Sequence, residues 1–347
     1  MFRKFLIILW GCSCTCASPA QSFDGESIVE GQWDLHRHTH LVHFLKFELH
    51  LPLGEKAGRV EASTLHVWGM GENGIDSWQG NSNIDTDRTL AALAVLGYRY
   101  EWTCGSLFIG IRNVNEDFFT SEVTSLFTNS SCGIFPTLSA CYPIADYPLS
   151  GLTIYGEITW DEWRWKNSVS NGVGYAGWTH RNTPFRLRPG KDGLFYLSQL
   201  EYISPRGQYY IGAAGHTRHF SADPEGDISA ASASFRHPSL AWWVYGEQSV
   251  WRAGGRKLSL MAQYSENTDR RNRCYRYGEL GCAYQDPMNQ IGISGQGVQY
   301  QQGTEYLFEV TWKRDLGPRW ALNPSFQYIA NRDGNFVGFS ARISCRF

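Results

Sequence analysis

The sequence predicts an all-β fold, a transmembrane antiparallel β-barrel of about sixteen strands within a range of roughly fourteen to eighteen. Three observations predict it. From Asn335 to Phe347 the chain alternates: Val337, Phe339, Ala341, Ile343, Cys345 and Phe347 share one parity, and Ser340, Arg342, Ser344 and Arg346 share the other. A two-residue period is that of a strand with one apolar and one wet face, and it excludes a helix. Next, aromatics make up 15% of the chain, with 14 Trp, 18 Tyr and 36 Gly, yet the hydrophobic fraction is only 42%. A barrel accounts for both, because alternate strand residues face lipid, aromatics mark the interfaces, and a wet lumen lowers mean hydropathy. Lastly, no segment after the N-terminal stretch supplies the ~18 apolar residues of a spanning helix; the run Leu90 to Leu96 is far shorter.

In chain order, Arg3 and Lys4 precede an apolar run from Phe5 to Trp10 and the small residues Ser18-Pro19-Ala20. This is the pattern of a secretory signal peptide over residues 1–20, cleaved after Ala20. Leu9-Trp10-Gly11-Cys12 offers a rival lipoprotein reading, disfavoured by bulky Trp10 beside the cleavage site and a very short apolar core. Residues 21–347 then read as one domain, since no repeat, charge block or Pro-rich linker divides them. Leu45, Phe47, Leu49 and Leu51 oppose Lys46, Glu48 and His50. Tyr98, Tyr100 and Trp102 oppose Arg99 and Glu101. A tight connection at Cys104-Gly105 leads to Leu107, Ile109 and Ile111, opposed by Gly110 and Arg112. Similar strands run through Leu152–Ile158, Leu258–Tyr264, Glu305–Trp312 and Arg319–Ile329. Segments near 31–40, 59–68, 172–179, 194–203, 208–216, 241–251, 278–285 and 290–300 complete the count. In the C-terminal strands the outward positions carry no charge, as expected where a base at mid-bilayer depth costs ~2–4 kcal/mol.

Two segments break the alternation, Asn113 to Ser150 and Ser221 to Pro238. Loops beyond ~12–15 residues are usually functional or disordered. The first holds too many large apolar residues for a disordered tail, so it is expected to pack against something. Of nine cysteines, three lie in the signal peptide, and the remaining six permit disulfides in an exported chain. Cys132 and Cys141, in the same loop, are expected either to pair and brace it or to stay two buried thiols. Metal and cofactor sites are not expected: His36, His38 and His40 would share a strand face but lack a completing carboxylate or Cys, and His216 and His219 stand alike. Catalysis is not expected either. Glu116-Asp117 and Asp161-Glu162 are sequence neighbours rather than a pair flanking one bond, and no nucleophile elbow, P-loop or zinc-protease motif occurs. The formal charge of −2 argues against a nucleic-acid partner.

The chain resembles the carbohydrate-selective outer-membrane porin family, OprB. The likeness lies in Phe118-Phe119, in Leu126-Phe127-Thr128-Asn129-Ser130-Ser131-Cys132-Gly133, in Asp146-Tyr147-Pro148-Leu149, in Tyr245 to Arg252 and in Asn323-Pro324-Ser325-Phe326-Gln327-Tyr328-Ile329. Thr128 and Cys132 stand where the family has Ile and Phe, and Asn323 where it has Gln. The resemblance implies a sixteen-stranded diffusion pore in the bacterial outer membrane, narrowed by inward loops and passing small sugars. It also implies that terminal Phe347 serves the barrel-assembly machinery as a sorting signal. For such a pore, Arg99, Glu101, Arg112, Glu309, Arg342 and Arg346 are the expected wall contacts, with Glu116, Asp117, Phe118 and Asn129 from the loop. A general porin without sugar preference and an adhesive barrel with a plugged lumen are the alternatives.

Overall fold

The structure is a computed structural model that describes residues 21–54, 57–220, 233–234 and 239–347. The signal-peptide segment lies outside them. The described strands are β1 (Ser22–Trp33), β2 (Thr39–Pro52), β3 (Arg59–Gly71), β4 (Thr89–Trp102), β5 (Gly105–Arg112), β6 (Gly151–Trp160), β7 (Trp163–Asn171), β8 (Leu194–Ser204) and β9 (Gly207–His216). They continue with β10 (His219–Phe220), β11 (Ala233–Ser234), β12 (Ser239–Ala253), β13 (Arg256–Asn267), β14 (Cys274–Gln285), β15 (Asn289–Tyr300), β16 (Gly303–Asp315), β17 (Trp320–Asn331) and β18 (Gly334–Arg346). Sixteen of them close into one antiparallel barrel in which each strand pairs with its sequence neighbours, β9 pairs with β12, and β18 returns to β1. β10 and β11 form a separate two-stranded ribbon.

Side chains are distributed as for a molecule turned inside out. On β16, Glu305, Leu307, Glu309 and Thr311 are buried at 2% exposure or less, whereas Tyr306 is 63% and Phe308 43% exposed. The same parity exposes Ile109, Ile154, Ile211, Leu260, Leu280 and Ile343 around the barrel. So large an apolar exterior would be a sticky patch in water and is at rest only in lipid. Tyr306 and Trp312 bracket Phe308 and Val310, six residues apart or ~20 Å at strand rise, close to the apolar height of such barrels. Arg314 takes the outward parity only where β16 reaches the rim.

Connections sort by rim. Those after β4, β6, β8, β12, β14 and β16 are tight turns, and the last strand ends on that rim. There Phe347 exchanges two backbone hydrogen bonds with Gly25 (2.8 and 3.0 Å) and sets its ring edge-on to Phe47 at 6.2 Å. The opposite rim carries the long connections 72–88, 113–150 and 172–193. Short turns on one side and long loops on the other are the usual asymmetry of outer-membrane barrels.

Two expected strands are misplaced. The segment 31–40 straddles the β1–β2 turn, and 172–179 belongs to a loop held by the bridges Ser150↔Tyr175 and Thr179↔Asn182. In their stead stand β1 and β7. The latter alternates Trp163, Trp165 and Val169 outward against Lys166 and Ser168 inward, but polar Asn167 interrupts its outer face, where it is met by the Tyr196 hydroxyl at 2.9 Å. The expected loop from Ser221 to Pro238 lies outside the described residues except for β11.

Candidate functional site: a lumen narrowed by two loops

Loop 113–150 turns into the barrel and docks on the wall formed by β12 to β18, because that wall offers buried carboxylates to its backbone. Glu309 accepts the amides of Thr128 (2.7 Å) and Asn129 (3.2 Å), and Glu247 that of Val123 (3.3 Å). Glu305 receives a second inward loop, 72–88, through the amides of Trp78 (2.8 Å) and Gln79 (3.1 Å). A buried N–H left without an acceptor costs ~1–3 kcal/mol, so these glutamates fix where the loops lie. Arg342 ties both loops to the β1–β18 seam: it pairs with Glu30 and donates to Ser82 Oγ (3.1 Å) and the Thr128 carbonyl (3.4 Å). The loop tip also needs space. A Cβ on Gly292 of β15 would stand 2.8 Å from Leu126 and 2.9 Å from Phe127, so only glycine leaves room for them.

The facing wall, β2 to β8, is an ion-pair network. Glu61 sits between Arg59 (2.8 Å), Arg99 (2.7 Å) and Arg112 (3.1 Å). Arg112 also clamps Asp117 of the loop, and Arg99 approaches the same carboxylate at 3.7 Å. Both guanidinium groups lie within 6 Å of the Phe108 and Tyr155 ring centres, which holds them by cation–π attraction. Lys46 joins Glu48 (2.8 Å) and Glu116 (3.1 Å), Lys166 joins Glu201 (2.7 Å), and Arg59 reaches Glu101 (2.8 Å). With Arg164 on Glu201 at 3.9 Å, six cations pair with six carboxylates among the described residues, and Glu157 of β6 adds a seventh carboxylate that accepts the Tyr155 hydroxyl at 2.8 Å. The fields of the paired groups cancel to first order, which leaves a polar wall with an excess of one carboxylate.

Between the two loops lies a cavity of about 230 Å³ lined in part by Trp78, Asn83, Asp85, Asp146, Tyr147 and Tyr300. Desolvation pushes the Asp146 carboxyl up to about 7, against its own backbone N–H. The Asn83 side-chain oxygen is buried without a partner. Asn115, the neighbour in sequence of Glu116, lines the same cavity.

The ten expected contact residues therefore divide. Arg99, Arg112, Glu116 and Asp117 meet in the network, and Glu101 stands below them, 53% exposed. Arg346 is 73% exposed at the short-turn rim, beside Glu26 at 3.1 Å. Phe118 is 1% exposed and packs edge-on to Tyr155; Asn129 and Glu309 are fully buried. These three have no surface for a solute and belong to the loop's docking, as does Arg342. The bridge weighed between Cys132 and Cys141 is absent, because each thiol points to a different part of β14. Cys132 lies 3.6 Å from Glu279 and Cys141 2.9 Å from the Cys274 carbonyl. Nor do the three histidines share a strand face. His36 and His38 lie in the β1–β2 turn, where His38 bonds Asp34 at 2.6 Å, and His40 on β2 faces Asp85 at 3.3 Å. His216 contacts the Gly172 carbonyl at 2.8 Å, and Asp161-Glu162 forms the turn between β6 and β7. Sequence reading missed Glu61, Lys166 and Glu201, which share the inward parity of their strands, and the whole of loop 72–88, which carries no alternation at all.

A family model described as carbohydrate-selective porin, OprB family, matches residues 98–344. No curated protein sequence matches the chain. Among solved structures, OprB of Pseudomonas putida at high pH superposes with a TM-score of 0.75 at 15% identity, covering 94% of each chain. A mutant of the Rh. blastica porin (TM-score 0.57, 10% identity) covers 94% of this chain and 100% of its own. OmpT of Vibrio cholerae (0.56, 8%) covers 94% and 99%. At these identities the superpositions bear on the fold.

Proposed function

Because the chain belongs to the OprB family of carbohydrate-selective porins, we propose that this outer-membrane porin passes small neutral sugars by passive diffusion along the narrowed lumen. Family and fold indicate a channel rather than an enzyme. One observation carries the sugar reading: the passage pairs a nearly charge-balanced wall with a polar cavity that combines carboxylates, amides and three aromatic rings. A sugar offers hydroxyl edges to the former and weakly apolar faces to the latter. Balanced charge attracts neither anions nor cations strongly, and exchangeable hydrogen bonds hold a neutral solute without trapping it, as conduction requires. Glu101, Glu116 and Asp117 are the proposed wall contacts, with Arg99 and Arg112, 6% and 7% exposed, positioning Asp117 from behind. Arg346 is proposed to meet solute only at the rim.

The test is single-channel conductance of the refolded protein in planar bilayers, with glucose added in steps. Ion current should fall as sugar reaches millimolar levels, the weak end of useful affinity, and Trp78→Ala should weaken that block. A protein that conducts no ions refutes the porin assignment. One that conducts with no more response to glucose than to an equal osmotic load of a polymer too large to enter the lumen is a general porin.

A further inference from the structure

Cys141 lies two residues past the short helix α1 (Pro136–Ser139) of the inward loop, and Cys274 opens β14. The side chain of Cys141 meets the backbone of Cys274 at the barrel wall. The Cys141 thiol is 2.9 Å from the Cys274 carbonyl oxygen, closer than the 3.6 Å between Cys132 and Glu279. Both side chains are buried, at 3% and 0% exposure, and each lies within electrostatic reach of the other. The approach is built, not incidental. Thr137 bonds Ser265 of β13 at 2.8 Å, and the Tyr142 hydroxyl bonds Ser239 of β12 at 2.7 Å and Asn267 of β13 at 2.8 Å. Cys141 is thus fixed from both sides against the strand end that carries Cys274. Both are free thiols in the structure, with the Cys274 sulfur 3.8 Å from the Arg276 carbonyl, so a bridge requires that side chain to turn from Arg276 towards Cys141.

We propose that Cys141 and Cys274 are joined by a disulfide in the exported protein, a covalent staple that ties the inward loop to β14. Export brings the chain through an oxidising compartment in which disulfides form and persist. One cysteine, as thiolate, attacks a sulfur of an oxidant disulfide, protein or small-molecule. The oxidant's bond breaks and a mixed disulfide forms. The second thiolate displaces the oxidant's remaining sulfur, so the two protons and two electrons lost by the pair leave in the oxidant's two thiols. The order of events follows from burial, which pushes the Cys141 thiol up to about 12 in the finished barrel. Because the thiolate is the nucleophile, the bridge forms while the loop is still open. Cys132 is left out, since burial beside Glu279 and Glu309 holds it firmly as a thiol. The inference rests on export and loop geometry, not on the sugar reading.

The full chain is to be exported in a bacterial host, extracted from outer membranes without reductant, alkylated with N-ethylmaleimide in denaturant and mapped by peptide mass. The expected result is one cross-linked species containing Cys141 and Cys274, lighter by two hydrogens than its separate peptides and split by dithiothreitol, with Cys132 alkylated. The bridge closes a loop across a sequence separation of 133. Unreduced, denatured protein should therefore run faster in gels, and Cys141→Ser or Cys274→Ser should abolish the shift while Cys132→Ser keeps it. Recovery of both Cys141 and Cys274 alkylated from exported wild-type protein, or of Cys132 in the bridge, overturns the proposal, and the wild-type map decides even if a serine variant does not fold.

Discussion

Replacing Glu309 by Ala should release the inward loop. Its carboxylate accepts five hydrogen bonds: two from the backbone of Thr128 and Asn129, two from the hydroxyls of Thr128 (2.8 Å) and Ser325 (2.9 Å), and one from Gln327 (3.3 Å). After truncation the Thr128 hydroxyl still donates to Ser325 at 3.1 Å and Gln327 to the Asn81 carbonyl at 2.9 Å, while the Ser325 hydroxyl loses its acceptor. The two amides lose theirs as well. At ~1–3 kcal/mol for each orphaned buried N–H, docking weakens by ~2–6 kcal/mol, and water entering the vacated space brings this towards the lower figure. Even ~2 kcal/mol changes the docked-to-released ratio by more than tenfold at ~1.4 kcal/mol per decade. The assay is single-channel recording with limited proteolysis of the intact barrel. Glu309→Ala should show larger or noisier conductance and new cleavage within residues 113–150, whereas Glu309→Gln, which retains one acceptor oxygen, should stay nearer the wild type. Unchanged current and an unchanged cleavage pattern in the alanine variant would refute the view that buried glutamates set the constriction.

Other consequences can be measured separately. Asp146 has an ordinary value of 3.8 and a folded value of about 7, so the folded protein binds the extra proton between them; stability should fall as pH rises across that window and level off above it. Asp146→Asn should flatten the unfolding midpoint between pH 4 and 7, and equal slopes for the two proteins would exclude Asp146 as the cause. Gly292→Leu should push Leu126 and Phe127 off β15 at a cost of ~1–3 kcal/mol, seen as lower thermal stability with altered conductance; a silent substitution would mean the loop tip does not rest there. Lys46→Gln leaves Glu48 and Glu116 without their common cation, so reversal potentials in a salt gradient should move towards cation selectivity, and a shift the other way counts against the charge balance. Deleting Phe347 removes a ring already 52% exposed and one pair of backbone bonds to Gly25. Heat-modifiable protein in the outer membrane should nonetheless drop several-fold, and normal levels would argue that the terminus is not read during assembly.

Alternation by itself determined the barrel, its parity and nearly all of its strands, because lipid outside and water inside impose a two-residue code on every spanning segment. Tyr306, Phe308 and Trp312, or Phe339 and Ile343, declare their face whatever their neighbours do. The code fails where a strand's outer face carries a polar residue satisfied by a neighbour, as with Asn167 and Tyr196, and where small residues alternate without a partner strand, as in 172–179. It also carries no information about the third dimension of the lumen. Only the tertiary structure decided that Glu309 and Asn129 are buried while Glu101 stays open, that loop 72–88 joins 113–150 to form a cavity, and that Cys141 meets Cys274 rather than Cys132. The reason is geometric. Parity states which side of the wall a residue faces, but whether that side is open depends on where the inward loops come to rest, and those resting places are set by buried carboxylates on strands more than a hundred residues away in sequence.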